Sequence, residues 1–151
     1  MGKLATVLGP KVYLDTNIVI YAIEGFEQYR TILWDLLKAI DDSRITAATS
    51  VLTLAEVLVK PMIMQNHDLQ LAYKEFLRPN SLLEVIDIDQ SIVEQAARIR
   101  AKEGVKLADA IHLATCLEAN CSTFLTNDTI LSRVKSPNVL VISELLNTWP
   151  K

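Results

Sequence analysis

The sequence predicts an α/β fold in which a parallel sheet is covered by helices on both faces. Three observations point there. Short apolar runs alternate with helical patterns from end to end. The candidate strands are near-continuously apolar, as in sheets buried on both sides. The chain has 151 residues, and half of them are hydrophobic. That is enough to bury a core without a disulfide or metal staple, and it suits one domain over residues 1–151.

Val12-Tyr13-Leu14 reads as the first strand. Asn17 to Glu24 reads as a helix stopped by Gly25. Phe26, Tyr29, Leu33, Leu36, Leu37 and Ile40 recur at helical spacing and predict an amphipathic helix. Arg44 to Thr49 reads as a strand, and Val51 to Val59 as a helix halted before Pro61. Leu69, Ala72, Tyr73, Phe76 and Leu77 mark a helix ending near Pro79. Leu83, Val85, Ile86 and Ile88 form a strand. Ile92, Val93, Ala96 and Ile99 line a helix that ends around Gly104, and Ala108 to Ala119 is an apolar helix. Thr123-Phe124-Leu125 and Val139 to Ile142 are the last strands.

Composition removes several function classes. A net charge of −3 argues against a protein that grips nucleic acid through a broad basic face. No apolar run reaches the roughly 18 residues of a membrane span. The N-terminus lacks a secretory pattern, and its Met-Gly start is too short a match for lipidation, so the expected compartment is the cytoplasm. Cys116 and Cys121 are too few for a disulfide framework or a zinc site and read as small buried hydrophobes.

Ligands in open α/β sheets bind beyond the carboxyl ends of the strands. Asp15 directly follows the first strand and Asp128 directly follows another, so both emerge on that edge. Each also has a purely structural reading: Asp15 as a helix cap, Asp128 as the head of an Asx-turn. Glu56 completes Thr53-x-x-Glu56, the spacing of a capping box. The helix pattern begins nearer Ser50, however, which places Glu56 nearly two turns in and too far for a cap. A carboxylate among Leu54, Ala55, Val57 and Leu58 must face solvent or a partner. Asp109 stands in the first turn of an apolar helix, where the helix dipole favours an anion. His112 shares its face and reads as a hydrogen-bonded partner inside the fold. Four clustered carboxylates repel one another, and a hard divalent cation compensates them through oxygen ligands. Next to a phosphodiester, such an ion activates water and steadies developing charge. It also supplies the positive charge that this acidic chain lacks.

Four segments, in order, resemble the motifs of PIN domains, particularly the VapC-type toxin ribonucleases. They are Val12 to Tyr21, Ser50 to Val57, Leu107 to Ala114, and Phe124 to Asp128. The resemblance implies a three-layer α/β/α sandwich with a five-stranded, mostly parallel sheet. It implies Mg²⁺ or Mn²⁺ bound by Asp15 and Asp109, with Glu56 and Asp128 completing the acidic cluster. Supporting polar roles fall to Thr16, Asn17 or Thr126. It also implies endoribonuclease activity on RNA, a homodimer and a small antitoxin partner. Arg98, Arg100, Lys102 and Lys106 form a candidate RNA-binding run, with a solvated helix face as the plain alternative. Residues 60–80 match the pattern least. The same acids would serve a metal-dependent phosphatase or DNA nuclease, or a non-catalytic module holding a metal or a partner's basic segment.

Overall fold

The centre of the molecule is a sheet in which every neighbouring pair of strands is parallel. A computed structural model describes residues 2–149. Its elements are α1 (Gly2–Leu8), β1 (Lys11–Leu14), α2 (Thr16–Glu24), α3 (Arg30–Asp41), β2 (Thr46–Ser50), α4 (Val51–Ile63) and α5 (His67–Phe76). They continue with β3 (Leu83–Ile86), α6 (Gln90–Glu103), α7 (Leu107–Glu118), β4 (Thr123–Thr126), β5 (Val139–Val141) and α8 (Ile142–Leu146). Short 3₁₀ turns cover Glu27–Tyr29 and Thr129–Arg133.

The strand order is β3-β2-β1-β4-β5. The chain builds outward from β1 through β2 to β3, then returns to the other side of β1 as β4. The order therefore reverses between β1 and β4, and the crevice beyond their carboxyl ends is where such sheets bind ligands.

Side chains alternate across the sheet, and the alternation assigns the two outer layers. Val12, Leu14, Ala47 and Leu125 pack into one core with residues of α1, α2, α3, α4, α5 and α8, among them Ile18, Leu36, Val57 and Tyr73. Tyr13, Ala48 and Phe124 point the other way, onto Ile92, Ala96 and Ile99 of α6 and Ala110, Leu113 and Ala114 of α7. Tyr13 and Phe124 lie opposite in register and stack at 5.1 Å. Burial of each such large side chain stabilises the fold by about 1.5–3 kcal/mol. The result is the three-layer α/β/α sandwich with five strands.

Local signals explain most boundaries. Gly25 and Gly104 close α2 and α6 in the left-handed region, at φ 77° and 67°, which costs a glycine little. Asp89 caps α6 by accepting from Ile92 N–H.

Some expectations need correction. Pro61 does not halt α4, which runs on to Ile63. Proline forfeits its own N–H bond and crowds the carbonyl one turn back, but here it stands near the helix end, and Pro61 is buried while its carbonyl accepts from Asn66 N–H at 2.8 Å. Phe26 lies outside α3, which starts at Arg30 after a 3₁₀ turn. Ile88 lies beyond β3, and Ile142 opens α8 instead of ending β5. Neither α1 nor α8 was expected.

Candidate active site

Each acid is placed by the end of an element. Asp15 follows β1 and caps α2, with its Oδ1 accepting from Thr16 N–H at 2.8 Å. The capping reading is thus correct, but it uses one oxygen. Oδ2 accepts from Thr126 Oγ1 at 2.7 Å, across to the end of β4, and from Asn17 Nδ2 at 3.4 Å. Asp15 is only 4% exposed. Burial pushes its carboxyl above the ordinary range, against the opposing pull of His112 and of the Thr126 and Thr16 hydrogen bonds.

Glu56 sits in the second turn of α4, whose actual cap is Ser50, so no capping box forms. Its Oε1 accepts from Thr16 Oγ1 at 2.8 Å and lies 2.6 Å from His112 Nε2. Burial pushes this carboxyl up, but the hydrogen bond and charge of His112, with Thr16, outweigh it and leave it below its ordinary value. His112 is 1% exposed, and its Nδ1 lies 2.7 Å from the Tyr13 hydroxyl. A carboxylate only accepts, so Nε2–H donates to Glu56, while Nδ1 is paired with the Tyr13 hydroxyl. His112 is therefore a hydrogen-bonded core residue, as expected, and also the tether that holds Glu56.

Asp128 heads the 3₁₀ turn. Its Oδ1 accepts from Ile130 N–H, and its own N–H donates to Thr126 Oγ1 at 3.0 Å. Thr126 thereby joins Asp15 to the Asp128 loop. Asn17 does the same from α2: Nδ2 donates to Thr126 Oγ1, and Oδ1 accepts from Asn127 N–H at 3.0 Å.

Asp109, in the first turn of α7, is half-buried and has no hydrogen-bond or ion-pair partner among the described residues. Burial raises its carboxyl, and Asp15, Asp128 and Glu56 raise it further, with His112 alone opposing. Asp109 thus feels the charges of the other three acids, and Thr16, Asn17 and Thr126 link Asp15 to Glu56 and to the Asp128 loop.

This donor set suits a hard divalent cation in kind: oxygen ligands, excess negative charge, and one carboxylate unsatisfied. Among the described residues no three His, Cys, Asp or Glu side chains stand in a ready ion-holding arrangement. Asp15 holds both oxygens, and Glu56 its Oε1, on hydroxyl, amide and imidazole donors, and like charges keep apart until compensated.

Tyr13, Thr49 and Thr53 belong to the same network and were missed. Thr49 Oγ1 donates to Leu14 O at 2.9 Å and lies 2.8 Å from Thr53 Oγ1. Their hydroxyls sit in apolar-looking runs, so only the pairing of β1 with β2 reveals them. The basic run is not part of the cleft network. Arg98 pairs with Glu94 at 3.8 Å, and Arg100 Nε donates to Val105 O. A cavity of about 330 Å³ between α3, α5 and β3 bears none of the four carboxylates.

The ordered acids at a switch point can be set beside known proteins. The sequence model of the PIN domain matches residues 12–137, nearly the whole chain and all four acids. The chain belongs to the PIN domain family. No curated protein sequence matches it significantly. Among solved structures, this PIN domain is similar to a toxin–antitoxin complex from Klebsiella pneumoniae. Identity is 25%, the match covers 87% of this chain and 97% of that one, and the TM-score is 0.66. It also shares the fold of VapBC2 from Rickettsia felis, bound to a DNA fragment from its promoter. There identity is 21%, coverage 87% and 98%, and TM-score 0.70. VapC20 of Mycobacterium tuberculosis, a sarcin–ricin-loop-cleaving toxin, shares it at 15% identity, 75% and 86% coverage, and TM-score 0.60. No helix among the described residues is long and apolar enough to cross a membrane.

Proposed function

We propose that this PIN domain, acting as one unit over residues 1–151, is a VapC-type toxin. In this reading it is a cytoplasmic, Mg²⁺- or Mn²⁺-dependent endoribonuclease held in check by a small antitoxin. The observation that carries the reading is Asp109: a half-buried carboxylate without a hydrogen-bond partner, facing three more acids beyond the switch point between β1 and β4. Toxin–antitoxin complexes among the structural neighbours support the partner, and a neighbour that cleaves the sarcin–ricin loop supports RNA as substrate.

Asp15, Asp109, Glu56 and Asp128 are the residues that would hold the cation. When bound there, a divalent ion supplies charge compensation and polarises water and phosphoryl oxygen. The chain's own contribution is orientation. Thr16 N–H and Thr126 Oγ1 fix Asp15 from two sides. Tyr13 fixes His112, and His112 with Thr16 fixes Glu56 in its ionised form, ready to orient the attacking water and help take its proton. Attack at phosphorus in line leaves a 5′-phosphate and a 3′-hydroxyl.

Exposed apolar side chains on α4 and α5, Val59, Met62, Ile63, Met64 and Leu71, support an antitoxin or homodimer surface there. They fall within residues 60–80 or border them. Lys102 and Lys106 are exposed at the surface, where they and Arg98 would meet RNA phosphates.

The test is cleavage of labelled RNA with and without Mn²⁺, by the wild-type chain and by Asp15→Asn. Cutting that needs Mn²⁺ and vanishes in the variant is the expected result. Full activity of Asp15→Asn overturns the assignment. Hydrolysis of small phosphate esters without RNA cleavage would instead indicate a phosphatase.

A further inference from the structure

The two cysteines sit at the end of α7 remote in sequence from Asp109, and the backbone there brings them together. Asn120 adopts φ 54°. Its N–H donates to Leu117 O at 3.1 Å, and Cys121 N–H donates to Cys116 O at 3.1 Å. With Ala119 as the helix cap, this pair of bonds is the Schellman closure. In that closure the side chain just past the turn packs on the side chain three positions before the cap. Here both positions hold cysteine.

A disulfide needs Cα atoms within about 7 Å. A direct backbone hydrogen bond between the same two residues meets that requirement without moving the helix.

Their surroundings make the pair unequal. Cys116 is fully buried, whereas Cys121 is half-buried and reachable by a small molecule. The Lys11 ammonium is anchored on Ala119 O at 2.9 Å, two residues before Cys121. The neighbouring Cys116 thiol and then the Lys11 charge favour a Cys121 thiolate, against burial and the nearby Glu84 carboxylate. The neighbouring Cys121 and burial push the Cys116 thiol up, so Cys116 holds its proton.

We propose that Cys116 and Cys121 are an oxidisable dithiol, which a low-molecular-weight disulfide converts into an intramolecular disulfide linking the last turn of α7 to the lead-in of β4. The Cys121 thiolate attacks one sulfur of the reagent. The reagent's S–S bond breaks, one thiolate leaves, and Cys121 carries a mixed disulfide. Cys116 gives its proton to the departed thiolate and attacks the Cys121 sulfur, expelling a second thiolate that takes from solvent the proton Cys121 had released. Two electrons pass from the cysteine pair to the reagent, which is reduced to two thiols.

The test uses the full folded chain, reduced and then treated with oxidised glutathione. The expected product has lost the mass of two hydrogen atoms, has no thiol open to maleimide, runs as a single chain without reductant, and recovers both thiols with dithiothreitol. Limiting maleimide on the reduced chain should label Cys121 at least about ten times faster than Cys116. In Cys116→Ser, the reaction should stop at a glutathione adduct on Cys121. The proposal is overturned if the wild-type chain stops at that adduct, keeps both thiols, or crosslinks between chains. None of these readouts depends on nuclease activity.

Discussion

Asp109→Asn separates the metal-site reading from a merely acidic surface. The substitution keeps the size of the side chain and removes its charge. Asp109 gives up no hydrogen bond or ion pair among the described residues, so the amide that replaces it leaves no partner stranded. What disappears is repulsion from Asp15, Asp128 and Glu56, together with the cost of burying a charge. In EDTA the variant should therefore be more stable than wild type, by about 0.5–2 kcal/mol, as for other relieved functional sites. With Mn²⁺ the order should change. A ligand at a hundred times its Kd stabilises the folded state by about 2.7 kcal/mol. At about 2–4 °C per kcal/mol for a chain of this size, wild type should gain roughly 5–10 °C in Tm. Asp109→Asn should lose most of that gain. Thermal melts of both proteins, in EDTA and in Mn²⁺, read all four states. An equal Mn²⁺ shift in the two proteins would refute Asp109 as a ligand. A variant less stable than wild type in EDTA would refute the repulsion.

Three further outcomes can be measured. The raised carboxyls of Asp15 and Asp109 bind protons more tightly in the folded than in the unfolded chain, so metal-free stability should rise as pH falls through their folded values. Glu56 has the opposite sign: its stabilisation is present above the unfolded value and lost as pH falls through its lowered folded one. Urea titrations from neutral to acid pH should therefore show a rise before acid denaturation, smaller in Asp109→Asn. A monotonic fall would contradict it. Tyr13→Phe removes the hydrogen-bond partner of buried His112 Nδ1 and should cost about 1–3 kcal/mol in denaturant titrations. A neutral effect would mean that His112 does not rely on Tyr13. Arg98→Ala with Lys102→Ala should lower the salt dependence of RNA binding by about 0.7 in log–log slope for each phosphate no longer neutralised. An unchanged slope would remove these two side chains from the RNA path.

Much of the fold was legible because its strands are short apolar runs and its helices carry their own stops. Gly25 and Gly104 end helices through backbone freedom, a property readable from residue type alone. Pro61 was misread because the rule that proline stops a helix weighs a lost hydrogen bond and not the burial that offsets it. Burial is set by partners distant in sequence. Phe26 fits the helical period yet lies outside α3, because period alone does not register the 3₁₀ turn that begins the segment.

The site divides the same way. The four acids stood out because a carboxylate is conspicuous in an apolar segment or at a strand end. The residues that hold them did not, since Tyr13, Thr49 and Thr53 look like ordinary members of a buried strand and helix. Yet the two groups depend on each other. Asp15 stays in a site where only 4% of it meets solvent because Thr126 and Thr16 satisfy its oxygens. Glu56 is held below its ordinary value because His112 donates to it, and the Tyr13 hydroxyl holds His112 in place through Nδ1. Asp109 has no such support. In a network where its neighbours' oxygens are held by the chain's own donors, the one left unsatisfied is the position at which an external cation has most to contribute.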